Sequence, residues 1–558
     1  MASEQSSKPL KHHSVVSSFI IKYDDGKPSV ALFRRSDKVN TYQHHLAPIS
    51  GGIERTDPSP LAAAWREISE ETTLTPASLT LLRQGKHYSF EDPSIGRSWT
   101  IYPFAFRLKT AEEGGKGEQG IQIDWEHEGW GWHDPLEVVD ADEFGGVPRL
   151  AESLRRVWFE KDLGEAAGRV LADGLETLKN DHQSGARQLA GVALQILRDV
   201  ISKLDSQGPT EEWWAKVRFA AWHIWKNGRE SMGAAIMSVL LSALSGIEDT
   251  VKQHAASSGS SQSMEWRDAI VQDLERRISL RNTESARLVT EALAKYLESA
   301  YESKLASHEP LVILTMSESS TISHSMRYLA LKSGFPLDLR VLESRPLFEG
   351  VSLAGSFADD VSSARVPKAQ EQEQEQEGTS KPAQQVKVSV YSDASAALAS
   401  KGVDVVIIGA DRIASNGAVS NKTGSLPTIL SARHTASLSG KPVKVIVLGE
   451  SEKVAPPGSP EEHVVEDNDP NQLIRAWSAE FNSERVRSGG SRLAEMLKAT
   501  DSHAVRGVQV AVHNVFFEWV SPALIDLYMT EFGQWTVEDI SKHSQSLAAK
   551  EERLFGDL

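Results

Sequence analysis

Five short runs between Leu311 and Gly449 constrain this chain most. They are LVILT (Leu311–Thr315), DLRVL (Asp338–Leu342), VKVSVYS (Val386–Ser392), VDVVIIGA (Val403–Ala410) and VKVIVLG (Val443–Gly449). Each is rich in β-branched residues and nearly all apolar, and most are separated by segments of helix length. A strand that is apolar at almost every position must be covered on both faces, as in a parallel sheet flanked by helices. The last third therefore reads as a doubly wound, Rossmann-like α/β domain. Within it, Ala358–Gln385 contains EQEQEQEGTSKPAQQ and few apolar residues. It cannot bury enough surface to offset its ordering entropy, so a disordered insertion between two strands is expected.

The chain has 558 residues, enough for several domains at ~100–200 residues each. VVSSFIIKY (Val15–Tyr23) and PSVALFRR (Pro28–Arg35) read as a hairpin around Asp24-Asp25-Gly26, and Trp99–Leu108 as a further strand. One short helix, Leu61–Thr72, lies between them, so the N-terminal unit is a mixed sheet with a helix. From about Leu150 to Ser307 apolar residues recur at three- and four-residue spacing, as in Arg187–Leu204 and Ser231–Ile247. The expected organisation is an α/β multidomain protein: residues 1–165, a helical segment 166–307, and 308–558.

Lys and Arg number 60 against 77 Asp and Glu, a net charge of −17. That balance disfavours direct nucleic-acid binding, which needs clustered cations. Cysteine is absent, which excludes disulfides, thiolate-ligated metals and thiol nucleophiles. No run reaches the ~18 apolar residues of a membrane helix, and the N-terminal MASEQSSKPLKHHS has no signal-peptide core. A cytoplasmic protein without membrane association is expected.

Gly51–Leu74, GGIERTDPSPLAAAWREISEETTL, carries the most chemistry. On a helix from Pro60, Leu61, Ala64, Trp65 and Ile68 form an apolar stripe, while Glu67, Glu70 and Glu71 share another face. Three converging carboxylates repel one another unless a cation sits among them. Hard oxygen donors suit Mg²⁺ or Mn²⁺. A solvated acidic face is the plain alternative.

The stretch resembles the Nudix box, G-x5-E-x7-R-E-U-x-E-E-x-G-U with U aliphatic. Gly52 takes the first glycine, Arg66-Glu67-Ile68 the REU, Glu70-Glu71 the paired acids and Leu74 the last aliphatic. The resemblance implies a mixed α/β/α sandwich in which Glu67, Glu70 and Glu71 bind Mg²⁺ or Mn²⁺ and Arg66 orients them. The implied substrate is a nucleoside diphosphate derivative such as ADP-ribose. Two positions depart from the box: Pro58 replaces a glutamate, with Asp57 beside it, and Thr73 replaces a glycine. The first predicts a less firmly held Arg66, the second a weakened helix exit. An inactive domain used for binding or scaffolding remains open. The later WEHEGWGWHDPLEV (Trp125–Val139) resembles the Nudix stretch that supplies a further metal ligand or general base, with Glu126 and Glu128 as candidates. Trp125, Trp130 and Trp132 read mainly as packing residues, with base stacking as the alternative.

GADRIASNGAVSNKTGS (Gly409–Ser425) and ESRPLFEG (Glu343–Gly350) each follow a strand. They put Arg345, Asp411, Arg412, Asn421 and Lys422 at the carboxyl edge of a parallel sheet, where such folds bind ligands. The cations suit phosphate and the aspartate suits proton transfer. Arg187–Gly533 resembles the family of the regulatory subunits of translation initiation factor 2B, methylthioribose-1-phosphate isomerase and ribose-1,5-bisphosphate isomerase. The resemblance rests on GRESMGAAIMSVLLSAL, ILT, ESRP, GADRIxxNGxVxNKxG and VSPALIDLYMTEFG. It implies a sugar phosphate or nucleotide ligand and a homodimer or larger homo-oligomer, with Val520–Met529 expected as an apolar helix buried in that association. In the isomerases a cysteine and the aspartate matching Asp411 move protons between C1 and C2. Here the cysteine position is Ser317, a far weaker acid. Water or His324 is the candidate to assist Asp411, and His324 reads otherwise as a helix residue with no catalytic part. Three readings stand: a hydrolase fused to a sugar-phosphate-binding domain, a regulatory or scaffold protein, and an active isomerase.

Overall fold

The computed structural model describes residues 10–181, 184–206, 208–256, 265–281, 284–364, 385–458, 467–480, 484–499 and 510–558. The N-terminal sheet contains β1 (Lys11–Asp24), β2 (Lys27–Arg35), β3 (Leu46–Ala47), β4 (Leu79–Gln84), β5 (Tyr88–Asp92), β6 (Arg97–Leu108) and β7 (His127–His133). Its order is β3-β2-β1-β6-β4, with β7 on β2 and β5 on β6. β1 and β2 are antiparallel and Asp24 faces Lys27. Asp25 and Gly26 between them both have positive φ, 49° and 80°, the backbone a tight two-residue hairpin turn requires.

Two helices cover this sheet, α1 (Pro60–Thr72) and α2 (Leu150–Arg155). Along β1, Val16 and Ile20 join the α1 core with Ala64, Ile68 and Phe106. Phe19 and Ile21 join Leu150, Leu154 and Trp158 on the α2 side. This alternation makes the α/β/α sandwich. α1 begins because the Ser59 side chain accepts from the Ala62 N–H and Pro60 occupies the first turn. It is held down by its apolar stripe, where burial of Ile68 alone contributes ~1.5–3 kcal/mol.

The middle of the chain is helical: α3 (Glu160–Asn180), α4 (Ala186–Lys203), α5 (Glu211–Asn227), α6 (Gly233–Ala256) and α7 (Glu265–Arg281). Gly164, at φ 78°, kinks α3 beside the boundary expected at 165. Residues Glu230–Gln253 are apolar and long enough to cross a membrane, but 72% of their most apolar 18-residue window is buried in the protein. This stretch is the centre of the helical core, packed by Leu189, Leu197, Val217 and Leu547.

The remainder comprises α8 (Glu284–Ala300), α9 (Glu302–Ser307), β8 (Leu311–Met316), α10 (Ser320–Lys332), β9 (Leu337–Leu342), α11 (Glu349–Ala364) and β10 (Val386–Tyr391). These are followed by α12 (Ala396–Ala399), β11 (Val405–Ile408), β12 (Arg412–Ile413), β13 (Val419–Lys422), α13 (Ser425–Ser439), β14 (Lys444–Leu448), α14 (Pro470–Glu480) and α15 (Glu484–Ala499). The chain closes with β15 (Phe517–Val520), β16 (Leu527–Thr530), β17 (Gly533–Trp535) and α16 (Val537–Phe555). The large sheet runs β10-β9-β8-β11-β14-β16-β17. It is parallel except at the β16–β17 edge. α8, α10 and α11 pack on one face through Leu293, Met326 and Phe357. α12, α13 and Ile540 of α16 close the other. The doubly wound reading is correct.

Two expectations are corrected. Val520–Met529 is not a helix: Val520 ends β15, residues 522–524 make one 3-10 turn, and Leu527–Met529 lie in β16. Val520 and Leu527–Met529 pair with β13 and β14 instead. Of the expected insertion, Ala358–Ala364 are the last two turns of α11, where Val361 is buried. Residues 365–384 lie outside the described residues, and Val386 already belongs to β10.

The halves are joined by polar contacts. On β4, Arg83 makes two bonds to Glu160, at 2.8 and 2.9 Å. Next to it, the Gln84 N–H donates to Asn227 of α5 at 2.7 Å.

Candidate functional site

The acidic helix is organised by Arg66. Its Nε donates to Asp57 at 3.1 Å and one terminal nitrogen donates to Asp57 and the Gly52 carbonyl, both at 2.9 Å. The other donates to Glu67 at 2.8 Å and Glu70 at 3.1 Å. A forked pair with a carboxylate fixes a guanidinium in plane and direction. Asp57 therefore takes over from the glutamate absent at Pro58, and Arg66 is held firmly, contrary to the sequence expectation. Thr73, at the exit, has φ 59° and ψ 7° and its N–H bonds back to Ser69. The conformation that favours glycine is kept, with a β-branched residue in it.

Gly51 explains why the box begins on glycines. A Cβ there would stand 2.0 Å from the Glu67 carboxyl carbon, so the carboxylate lies directly on the glycine backbone. Glu71 is buried and one of its oxygens accepts from or shares a proton with His127 Nε2 at 2.6 Å. Its other oxygen is buried without a hydrogen-bond partner. Burial first, then the Glu126, Glu67 and Asp124 charges, push the Glu71 pKa well up. Burial pushes His127 down to about 4, so the imidazole is neutral at pH 7. Glu126 is half-buried and its pKa is raised by burial and by Asp124. Glu128 instead pairs with His44 at 3.2 Å.

Among the described residues no three His, Asp or Glu side chains stand in a metal-binding cluster. Arg66 and His127 hold the acids instead. The donor set nevertheless suits a hard divalent cation: the candidate ligands are all carboxylates, they repel one another, and Glu71 has an unpartnered buried oxygen. Trp130 and Trp132 pack at the edge of the sheet core, whereas Trp125 is 56% exposed.

The second site is a cavity of about 680 Å³ at the carboxyl edge of the parallel sheet. Ser317, His324, Asp411, Asn421 and Lys422 line it; Arg345 and Arg412 do not. Arg345 is bound to Glu343 at 2.9 Å on the outside. Burial lowers the Arg412 pKa, and its guanidinium lies away from the lining. Five cations line the cavity: Arg187, Arg229, Arg327, Lys422 and Lys453, of which Arg327 is paired with Asp360 at 2.5 Å. Sequence reasoning missed four of them, Arg187, Arg229, Arg327 and Lys453. A signal existed for two of the arginines. Arg187 is the second residue of α4 and Arg229 precedes the turn into α6, and a cation at a helix start opposes the dipole.

Asp411 sits among these charges. Burial raises its pKa, opposed by Lys453, Lys422 and Arg229. Lys453 reaches Glu450 at 3.3 Å, and Thr321 donates to Glu450 at 2.7 Å. Burial alone would push Glu450 up, but Lys453 and Thr321 outweigh it and hold its pKa at about 2. Ser317 has φ 64°, and its N–H donates to Ser344 at 2.7 Å. Strained backbone of this kind persists where surrounding contacts over-determine it, commonly at ligand sites. α10 opens directly beyond Ser317 with Ser319 as its cap, so helix N–H groups and lysines face one cavity. That combination attracts anions. The start of α13 offers no such opening, because Glu518 already accepts from the Gly424 and Leu426 N–H groups.

These two sites on these two folds define a bipartite α/β protein. Residues 11–157 match the NUDIX domain model and residues 378–537 the Initiation factor 2 subunit family model. The chain thus carries an N-terminal NUDIX domain and a C-terminal domain of the initiation factor 2 and methylthioribose-1-phosphate isomerase family. A methylthioribose-1-phosphate isomerase of Pseudomonas savastanoi pv. phaseolicola is 27% identical over 168 residues, 30% of this chain. The chain spans 38% of that relative's length. Similar solved structures include translation initiation factor eIF-2B of Pyrococcus horikoshii OT3, at 18% identity and TM-score 0.41, covering 66% of this chain and 96% of that one. Another is eIF2B beta from Chaetomium thermophilum, at 14% identity and TM-score 0.43, covering 70% and 94%. A third is 5-methylthioribose 1-phosphate isomerase of P. horikoshii OT3, at 18% and 0.42, covering 68% and 87%.

Proposed function

We propose that the chain is a divalent-metal-dependent hydrolase of nucleoside diphosphate derivatives whose C-terminal domain binds a phosphorylated ribose or a nucleotide. The observation that carries the first part is the Asp57–Arg66 clamp on Glu67 and Glu70. It restores the arginine support that Pro58 removed, and a chain under no demand for oriented acids has no use for it. In this reading Glu67, Glu70 and Glu71 hold Mg²⁺ or Mn²⁺. A cation held there would neutralise charge that builds up as the diphosphate is cleaved. Arg66 keeps two of the acids aimed together, and Glu126 accepts the proton of the attacking water. One phosphorus–oxygen bond forms, one breaks, and two phosphate monoesters leave. Incubation with a panel including ADP-ribose and Mg²⁺ tests this reading. Absence of turnover across the panel with both Mg²⁺ and Mn²⁺ contradicts it.

The second part is supported by the cations that line the cavity with Asp411, three of which, Lys453, Lys422 and Arg229, act on its carboxylate. Arg187, Arg229, Lys422 and Lys453 hold a phosphate, and Asp411 is the proton carrier nearest to them. Ser317 is too weak an acid to share a proton near neutral pH, so binding with little or no isomerisation is the expected behaviour. Calorimetry with ribose 1,5-bisphosphate and methylthioribose 1-phosphate, read beside a turnover assay, tests it. Rapid turnover abolished by Asp411→Asn would replace it with an active isomerase. Self-association as a homodimer or larger belongs to the same reading and is checked by light scattering.

A further inference from the structure

Arg66 aims Glu67 and Glu70, but among the described residues it makes no bond to Glu71. Glu71 is held instead by His127, and an irregular strand brings that residue in. β2 and β7 pair in register from Val30–His133 to Arg34–Gly129, after which Arg35 faces His127. Glu128 is the extra residue of a β-bulge. In an unbroken strand Glu128 would stand opposite Arg35, on the α1 face with Trp130 and Trp132, and His127 would point the other way. The bulge exchanges the two. His127 turns in toward α1, and Glu128 turns out to His44 at 3.2 Å. Bulges recur beside active sites because they re-aim side chains in this way.

The imidazole is seated in the core. Its ring centroid lies 5.2 Å from that of Phe33, at 46°, and Phe33 packs with Ala64 and Ile68 of α1. Only 1% of the His127 side chain and 3% of the Glu71 side chain are exposed. Nε2 stands 2.6 Å from one Glu71 oxygen, and for Glu71 as a carboxylate the imidazole N–H is the donor. The other Glu71 oxygen is buried without a partner, and so is His127 Nδ1. One oxygen is tied and the other is left open where solvent does not reach. Core packing does not explain this, because two buried polar groups left half-satisfied destabilise a fold.

We propose that His127 is the positioning residue for Glu71: its N–H fixes one carboxylate oxygen, so that the other is presented to the divalent cation. The cation rests on the hydrolase reading; the His127–Glu71 pair does not. Groups that hold a metal-ligating side chain are worth roughly 10–100-fold in metal affinity. The effect on turnover is therefore divided. Without His127 the Mg²⁺ concentration for half-maximal rate rises, while the rate at saturating Mg²⁺ changes less, because Glu67 and Glu70 keep their own clamp.

Electron paramagnetic resonance of Mn²⁺ reads the binding without relying on turnover. The full chain is titrated with Mn²⁺, the signal of the free aqua ion gives the affinity, and its loss in Glu71→Gln identifies the site. His127→Phe keeps a ring against Phe33 and removes the donor; it should bind Mn²⁺ roughly 10–100-fold more weakly. His127→Gln restores an N–H near the position of Nε2 and should recover most of that loss. His127→Leu takes the place of the phenylalanine variant if the latter does not fold, with a parent-like circular dichroism spectrum as the criterion. Equal Mn²⁺ affinity in the parent and in the folded phenylalanine or leucine variant overturns the proposal and leaves the hydrolase reading standing. So does a glutamine variant that binds no better than the phenylalanine one, and so does spin-echo modulation from a nitrogen bound directly to Mn²⁺, which would make His127 a ligand. Weakened binding in His127→Phe, recovered in His127→Gln, without hydrolysis of any diphosphate in the panel, upholds the proposal and removes the hydrolase reading. A parent chain that binds no Mn²⁺ overturns both.

Discussion

Replacing Thr73 by glycine should stabilise the NUDIX domain. Thr73 ends α1 at φ 59° and ψ 7°, and the left-handed region costs an L-residue roughly 1–2 kcal/mol. Glycine removes that strain but gains freedom in the unfolded chain, which offsets ~0.4–1 kcal/mol. Little else is lost. The residue is exposed, and its hydroxyl reaches the Gly120 carbonyl only at 3.4 Å, a marginal hydrogen bond. The net gain is about 0.5–1 kcal/mol. For a unit the size of residues 11–157, each kcal/mol moves Tm by roughly 2–4 °C, so a rise of about 1–4 °C is expected. Calorimetry of the transition that unfolds this half measures it. Hydrogen exchange at Ile68–Thr72 reports the same gain locally, as slower opening of the last turn. Thr73→Ala keeps a Cβ in the left-handed conformation and should recover much less. A lower Tm for Thr73→Gly, or an equal effect of alanine and glycine, would refute the argument from strain.

Three further outcomes follow from named contacts. Gly51→Ala should displace the Glu67 carboxylate, which a Cβ would approach to 2.0 Å, and reduce metal-dependent hydrolysis by an order of magnitude or more; unchanged kcat/KM would contradict the packing of Glu67. Ser317→Cys should raise isomerase turnover with ribose 1,5-bisphosphate above that of the parent chain, because the thiol is the stronger acid; equal rates would show that Ser317 is not the missing acid. His223 is fully buried beside Phe159, Phe219 and Trp222, and burial lowers its pKa well below 6.5. The unfolded chain takes up the proton that the folded chain refuses, so this residue's contribution is intact above pH 6.5 and is lost below it by up to ~1.4 kcal/mol per pH unit. A pH series of urea unfolding should show a shallower acid slope in His223→Leu than in the parent.

Much of the fold is written in local patterns. The apolar runs at Leu311–Thr315 and Val403–Ala410 have no use except as strands covered on both faces, and they become β8 and β11. The i, i+3, i+4 spacing of Glu67, Glu70 and Glu71 was equally legible. What was not legible depended on partners distant in sequence or on side-chain direction. Asp57 reads as a turn residue until its forked bond to Arg66 is seen. Val520–Met529 is apolar enough for a helix, and only its pairing with β13 and β14 decides for strand. Arg345 follows a strand as Asp411 does, yet Glu343 holds it outside the cavity. Arg187 and Arg229 enter the cavity that Asp411 lines from the helical segment, so no motif within the α/β domain could disclose them.

The central claim is that the acidic helix supports diphosphate cleavage. Phosphorus NMR of ADP-ribose incubated with the full chain and Mg²⁺ follows it directly, in parent protein and in Glu70→Gln and Glu71→Gln. The account predicts that the two diphosphate resonances give way to monophosphate resonances in the parent, that EDTA stops this, and that each variant slows it at least 100-fold, in keeping with loss of a metal ligand. Cleavage that proceeds undiminished in both variants, or in EDTA, would contradict it.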